Sequence, residues 1–258
     1  MLFLALVVIE WWGGDCEVVV GTGIEGCEWV SSEGIEGIGG ISSAGMEMGG
    51  WMLDSCAIER TILLNLKQQW GNLPFIQSWN SFSSPCDWPE IRCTNGRATG
   101  IILRNKNITE KIPPSICDLE NLAVIDLAYN CIPGEFPTAL YNCSKLEYLD
   151  LSQNYFLGPI SAVIDGISTL RYIDLDGNNF NNDIPPAIGW LPELQTLYLY
   201  QNEFNGTFPA EIDNLSNIEV LGMAYNDFVP MAIPPEFGKL KKLKFMWMSV
   251  TNLINEIP

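Results

Sequence analysis

No histidine occurs among the 258 residues. That removes the commonest metal ligand and the side chain best suited to proton transfer near neutrality, so catalysis starts as a poor reading. Basic residues are scarce as well: 13 Lys and Arg stand against 31 Asp and Glu, a formal net charge of -18. Residues 1–59 hold ten acids and no base. Nothing supplies a basic stripe to neutralise phosphates, which argues against nucleic acid as a partner. A long apolar run is missing too. MLFLALVVI at residues 1–9 is too short to span a bilayer, so no membrane span is expected within the chain. The run has the length of a secretion-signal core, but no Lys or Arg precedes it and no small-x-small cleavage site follows. It reads as a degenerate signal or as a misassigned start, and residues 1–55 are left without an assignment.

One motif in that segment suggests a nucleotide. VVVGTGIEG, Val18 to Gly26, places glycines at 21, 23 and 26 after a strand-like run. Such a loop cradles a pyrophosphate only where a helix begins directly after it. The residues that follow are rich in glycine, each glycine costing a helix about 1 kcal/mol, so no helix is expected there. The chain's first lysine is Lys67 and no VAIK, HRD or DFG follows, which excludes a kinase phosphate loop. With 12 of the 23 glycines in residues 1–50, the spacing is a chance match. No cofactor is implied.

What is abundant is repetition. The pattern LxxLxLxxN places its third apolar residue at Leu103, Leu127, Leu151, Leu175, Leu199, Met223 and Met248, in steps of 24 and finally 25. A second feature keeps the same step: Ile112-Pro113, Phe136-Pro137, Ile160-Ser161, Ile184-Pro185, Phe208-Pro209, Ile233-Pro234 and Ile257-Pro258. A leucine repeat of 20–29 residues means a solenoid, each turn carrying a short strand and burying its apolar face against its neighbours. The expected fold is therefore an α/β solenoid, a horseshoe with parallel β-strands on its concave face, over residues 98–258. Asn130, Asn154, Asn178, Asn202 and Asn226 hold the asparagine position and are expected to form an internal ladder on backbone groups the tight turn leaves unpaired. Lys106 and Thr251 replace asparagine in the first and last turns.

Residues 56–97 read as an N-terminal cap over the first turn. AIERTILLNLKQQW, Ala57 to Trp70, is expected as a helix with Ile58, Ile62, Leu63, Leu66 and Trp70 on one face. Cys86 and Cys93 follow it, read as a disulfide rather than a metal half-site, since neither histidine nor a second matched pair supports a metal. Cys117 and Cys143 fall on the same side of consecutive turns about 5 Å apart, within disulfide reach. Cys131 is expected to remain a thiol, and Cys16, Cys27 and Cys56 have no evident pairing. Asn107, Asn142, Asn205 and Asn214 head NxS/T sequons, expected as glycosylation sites of an extracellular protein.

The concave face is the candidate site. Side chains alternate along a strand, so the non-leucine positions project from it: Asp126, Asp150 and Asp174 in one column, with Tyr148, Tyr172, Tyr198, Tyr200, Phe245 and Trp247 expected in the flanking columns. Three carboxylates at strand spacing repel by about 1 kcal/mol per pair in water, which a solvated face tolerates. The aromatics are typical binding anchors. Glycosidase chemistry is not expected, because no insertion forms a pocket to desolvate either carboxylate. An acidic, aromatic track suits a peptide carrying Lys or Arg and proline rings.

The run from about Cys56 to Pro258, with LLNLKQQWGN, SWN, SPCDWPEIRC, LDLSQNYFLGPI and LYLYQNEFNGTFPAEI, resembles the ectodomain of plant leucine-rich-repeat receptor kinases. The cap wording is most similar to their HAESA-like branch. The resemblance implies a secreted peptide or protein ligand, a co-receptor leucine-rich-repeat kinase as partner, and placement outside the plasma membrane. It also implies further repeats, a membrane span and a Ser/Thr kinase, none of which lies within this chain. The chain is thus expected to be an N-terminal, non-catalytic part of such a receptor. A soluble secreted protein-binding module is the alternative.

Overall fold

The computed structural model describes residues 46–254, with side chains from residue 56 onward. The glycines of the GxGxxG match, the apolar run 1–9, Cys16, Cys27 and the Ile257-Pro258 pair lie outside the described residues.

The main sheet has eight strands: β1 (Ile91–Thr94), β2 (Arg97–Ile102), β3 (Val124–Asp126), β5 (Tyr148–Asp150), β7 (Tyr172–Asp174), β9 (Thr196–Tyr198), β10 (Val220–Gly222) and β11 (Phe245–Trp247), side by side in that order. β1 and β2 form an antiparallel hairpin; every later pairing is parallel, in a register that sets Ile101, Ile125, Leu149, Ile173, Leu197, Leu221 and Met246 abreast. These residues and the flanking leucines point inward. Ile125, Leu127, Leu149, Leu151, Leu197, Leu199 and Leu221 are wholly buried, each worth about 2 kcal/mol of apolar burial. A smaller sheet of β4 (Pro133–Gly134), β6 (Tyr155–Gly158) and β8 (Asn179–Phe180) runs along one flank.

The opposite, convex side is built of 3-10 turns: 114–118, 138–142, 164–166, 186–190, 210–214 and 235–239. Pro113, Pro137, Pro185, Pro209 and Pro234 precede five of them, with φ between -73° and -54°. The ring pre-sets that angle and loses no needed donor. Where Ser161 stands instead of proline, the turn starts later and shortens to three residues, Ile164–Gly166.

The asparagine ladder is visible atom by atom. The Nδ2 of Asn178 donates to Leu151 O, Leu175 O and Asp176 O at 3.0–3.1 Å, and its Oδ1 accepts from Phe156 N at 3.0 Å. Asn130, Asn154, Asn202 and Asn226 repeat the pattern. In the last turn Thr251 supplies only a hydroxyl, to Met248 O at 2.7 Å. A second ladder runs beside it: Phe156, Phe180, Phe204 and Phe228 stack with centroids 6.0–6.5 Å apart.

The capping helix α1 covers Met46–Gln69, so it starts eleven residues before the expected Ala57 and runs through Gly49-Gly50. Once a helix is anchored, each further residue adds one backbone hydrogen bond, and two glycines cost about 2 kcal/mol in propensity. The expected apolar face also needs correction. Ile58 is 59% exposed, whereas Glu59 is 3% exposed and lies on the buried row with Leu63, Leu66 and Trp70. Its carboxylate takes Arg97 Nε at 2.7 Å and Ala98 N at 3.0 Å, which offsets the desolvation of a buried charge. Cys86 and Cys93 form a disulfide with a Cα separation of 5.5 Å beside the stacked pair Trp79–Trp88. Cys117 and Cys143 form another, 4.7 Å apart, between consecutive convex turns. Cys131 Sγ lies 3.4 Å from Asn107 Oδ1, and Cys56 Sγ lies 4.0 Å from Ser84 Oγ.

Candidate functional site

The parallel register sorts the outward side chains of the main sheet into columns. One column reads Ile102, Asp126, Asp150, Asp174, Tyr198, Gly222, Trp247. Tyr198 and Trp247 therefore continue the aspartate column itself rather than flanking it, because the step of 24 residues, and 25 in the last turn, carries the same strand position from turn to turn. The neighbouring column holds Gly100, Val124, Tyr148, Tyr172, Thr196, Val220 and Phe245. Tyr200 projects two residues beyond Tyr198, at the 24-residue spacing that also carries Arg104 and Asp176.

The rings form one continuous array. Tyr148 and Tyr172 stack at 4.3 Å, Tyr172 meets Tyr198 edge-on at 6.1 Å, and Tyr198 meets Tyr200 at 5.7 Å. Tyr200 then tilts against Trp247 at 5.0 Å, and Tyr225 closes on Trp247 at 5.7 Å. Gly222 is needed beneath them: a Cβ there would sit 2.8 Å from Tyr198 Cδ1 and 3.4 Å from Tyr200. Each aromatic contact adds about 0.5–1.5 kcal/mol beyond its buried area, so the array is set before any ligand arrives.

Under this array the aspartates are not the solvated row that strand spacing alone suggests. Asp150 is 1% exposed and Asp174 8% exposed, beside the column of Tyr148 and Tyr172. The Asp126 and Asp150 carboxylates are also paired. Arg104, at the end of the first turn, reaches Asp150 with Nη2 at 2.7 Å and Asp126 with Nε at 3.3 Å, and stands 5.2 Å over the Tyr129 ring. Burial works to lower the Arg104 pKa, but Asp126 and Asp150 outweigh it and the net direction is up. Asp150 Oδ1 accepts from the backbone and hydroxyl of Ser152 at 3.0 and 2.6 Å.

Among the described residues no cation pairs with Asp174. Its Oδ2 accepts from Tyr172 Oη at 3.0 Å and its Oδ1 from Asp176 N at 3.1 Å. Asp176, buried beside it, accepts from Gln153 Nε2 at 3.1 Å and bonds Tyr200. Burial pushes the Asp174 carboxyl up to about 8, with the Asp176 and Asp150 charges adding to the rise; burial raises Asp176 too. Tyr148 is pushed up to about 12, by burial and then by Asp150 and Asp126. Burial, with the nearby aspartates, also raises Tyr172 and Tyr200, so both stay protonated as donors. Arg104 and Asp176 are the residues the aspartate-centred reading overlooked. Both recur at the 24-residue step with Tyr200, and that spacing was the available signal.

Among the described residues no group of three or more Cys, Asp and Glu could hold a metal ion, and no helix is long and apolar enough to cross a membrane. An open polar depression of about 500 Å³ lies elsewhere, lined by Asn181, Asn182, Asn202, Glu203, Asn205 and Asp227. The sequon asparagines Asn107, Asn142, Asn205 and Asn214 are all exposed.

Comparison with known proteins follows the same divisions. The leucine rich repeat N-terminal domain matches residues 57–94, and leucine rich repeat models match residues 98–156, 169–191 and 193–215. Receptor-like protein 52 of Arabidopsis thaliana is 50% identical over 58 residues, which are 22% of this chain and 7% of that protein. Receptor-like kinase TMK4 of Arabidopsis thaliana is 33% identical over 84 residues, 33% of this chain and 9% of that protein. Among solved structures, the ectodomain of the Arabidopsis receptor kinase HAESA, in complex with an extended IDA peptide hormone, superposes with a TM-score of 0.76 at 30% identity. That match covers 80% of this chain and 35% of the HAESA chain. A second HAESA complex, with IDA and the co-receptor SERK1, gives 0.75 at 30% identity over 78% of this chain and 35% of that one. This chain thus spans about a third of the HAESA ectodomain.

Proposed function

Because the chain is a leucine-rich-repeat protein whose repeats follow a leucine-rich-repeat N-terminal domain, we propose that its concave face binds a secreted peptide outside a plant cell, as part of a receptor ectodomain. The observation that carries this reading is the unbroken array from Tyr148 through Trp247 and Tyr225. An extended peptide lies along such a track through several contacts, and a face whose rings are already fixed against one another pays little ordering entropy on binding. HAESA binds the peptide hormone IDA and the co-receptor SERK1, and a co-receptor leucine-rich-repeat kinase is the second partner this reading carries. Among the described residues, two disulfides and four exposed sequons support an extracellular setting.

Of the Lys or Arg and the proline rings that an acidic, aromatic track suits, the face favours the rings. Asp126 and Asp150 are held by Arg104, and Asp174 and Asp176 are held by tyrosines and resist ionisation. A Lys or Arg would find little free negative charge, whereas apolar rings find the faces of six aromatics. The test is calorimetric titration of secreted plant peptides against the chain made in a eukaryotic secretory host, followed by Tyr172→Ala, Tyr198→Ala, Tyr200→Ala and Trp247→Ala. The expected result is at least one peptide whose affinity falls about tenfold, or 1.4 kcal/mol, in two or more variants. A peptide that binds equally to all four variants places the site elsewhere.

A further inference from the structure

Two of the four sequons occupy the same place in the repeat, and the structure gives them the same backbone. Asn142 ends the 3-10 turn 138–142 and Asn214 ends the turn 210–214. The residue after each is folded into an inverse γ-turn: Cys143 has φ -79° and ψ 77°, Leu215 has φ -68° and ψ 71°. Each turn is closed by the same hydrogen bond, Ser144 N to Asn142 O at 3.0 Å and Ser216 N to Asn214 O at 2.7 Å. Both asparagines are exposed, and both middle residues are buried, Cys143 at 4% and Leu215 at 1%. The pair differs in how the middle side chain is held. Both middle residues keep local backbone hydrogen bonds, Leu215 N to Ile212 O at 3.1 Å and Cys143 N to Leu140 O at 3.0 Å, but the Leu215 side chain is held by packing, while Cys143 is bonded covalently to Cys117 in the preceding turn.

That difference matters for modification. N-glycosylation requires the asparagine amide and the hydroxyl two residues on to enter one active site together, which a closed γ-turn with a core-buried middle residue does not permit. The turn must open, and its middle residue must leave the core. Leu215 does so by local unfolding of one turn, an excursion small beside global unfolding. Cys143 cannot once its disulfide has formed.

We propose that Asn142 is a glycosylation site timed by thiol oxidation, modified only in chains whose Cys117–Cys143 bond is still open, while its twin Asn214 is modified irrespective of oxidation. The proposal rests on the secretory placement of the chain. Two reactions compete for one segment. In the first, the Asn142 amide nitrogen attacks the anomeric carbon of a lipid-linked oligosaccharide; the N-glycosidic bond forms, the carbon–oxygen bond to pyrophosphate breaks, the lipid pyrophosphate leaves and the amide gives up one proton. In the second, the Cys117 and Cys143 thiols pass two electrons and two protons to a disulfide-bearing oxidoreductase by exchange, and a dithiol is released. Whichever happens first decides the glycan, but not the bond: a glycan on exposed Asn142 leaves both sulfurs free to pair.

The experiment is site-by-site occupancy by glycopeptide mass spectrometry on the full chain made in a plant or insect secretory host. Total cell lysate is used, so that retained variants are counted. Disulfide closure takes seconds or longer, so both outcomes are populated, and Asn142 is expected at no more than about half the occupancy of Asn214. Cys117→Ser leaves the sequon intact and should raise Asn142 at least about twofold with Asn214 unchanged. Cys143→Leu rebuilds at 142–144 the Asn-Leu-Ser of 214–216 and should bring the two sites to equal occupancy. Equal occupancy in the unaltered chain, or an Asn142 value that neither substitution moves, overturns the proposal. If all four sequons are bare, the secretory placement itself fails and the proposal fails with it.

Discussion

Replacing Asp174 by asparagine tests whether the concave face holds a proton at neutral pH. The carboxyl is buried without a cation and its pKa rises from 3.8 to about 8. A folded-state value above the unfolded one means that, between those limits, the folded protein holds a proton the unfolded chain has released. Stability from this group is therefore complete below about pH 4 and falls as pH rises toward 8. For an isolated group the rise corresponds to roughly 6 kcal/mol at about 1.4 kcal/mol per pH unit. Asp176 shares the proton, and Tyr172 Oη still donates to the ionised form, so about 2–4 kcal/mol is the expected loss. The side-chain amide of the Asp174→Asn variant keeps the contacts of the neutral acid without a titrating proton. Urea unfolding of both proteins from pH 4.5 to 8.5 should show near-equal stability at the acid end and an Asp174→Asn chain more stable by about 2–3 kcal/mol at the alkaline end. A difference between the two that stays constant across the range would refute the reasoning, because it would mean that Asp174 ionises as readily in the folded protein as in the unfolded one.

Three further outcomes follow from the geometry. Asn178→Ala removes three carbonyl contacts and orphans Phe156 N, and should cost about 2–4 kcal/mol in denaturant unfolding, while Asn121→Ala, whose Oδ1 meets only Lys145 Nζ, should stay within about 0.5 kcal/mol. Gly222→Val must displace the Tyr198 ring, so the near-ultraviolet circular dichroism of the aromatic array should change with less than about 2 kcal/mol of stability lost; an unchanged spectrum would mean that the rings do not rest on Gly222. Glu59→Ala strips Arg97 and Ala98 N of their buried partner and should cost about 2–4 kcal/mol, with Glu59→Gln losing less because it can still accept from Ala98 N.

The solenoid was legible because its determinants are local and periodic: a leucine or asparagine at a 24-residue step needs no knowledge of any other segment to be placed. The Phe156, Phe180, Phe204 and Phe228 ladder keeps the same step, yet the reading that followed leucines and asparagines passed it over. The candidate face was harder. Its residues could be named from alternation, but their environment depends on which side chains lean over which. Asp150 is buried and neutralised by Arg104, 46 residues earlier in the chain, a pairing no periodicity announces. Glu59 escaped for a related reason: an acid on an apolar helix row reads as a defect until Arg97, 38 residues on, is seen to meet it. The helix start at Met46 failed on propensity, because glycine counts weigh local cost and omit the anchoring of the segment that follows.

The asparagine ladder binds main chain to main chain. Asn154, for instance, touches Leu127 O, Leu151 O, Ser152 O and Ile132 N, all backbone atoms, and the leucines beside it face away from the outer columns. The scaffold is therefore largely indifferent to what is written at Tyr148, Tyr172, Tyr198, Tyr200 or Trp247. Related chains can exchange those letters one by one, and drift to new ligands, without renegotiating the frame that displays them. Innovation in this architecture should accumulate on one face of an otherwise conservative ribbon, and a designer could graft a foreign column onto the described turns by leaving every ladder residue untouched.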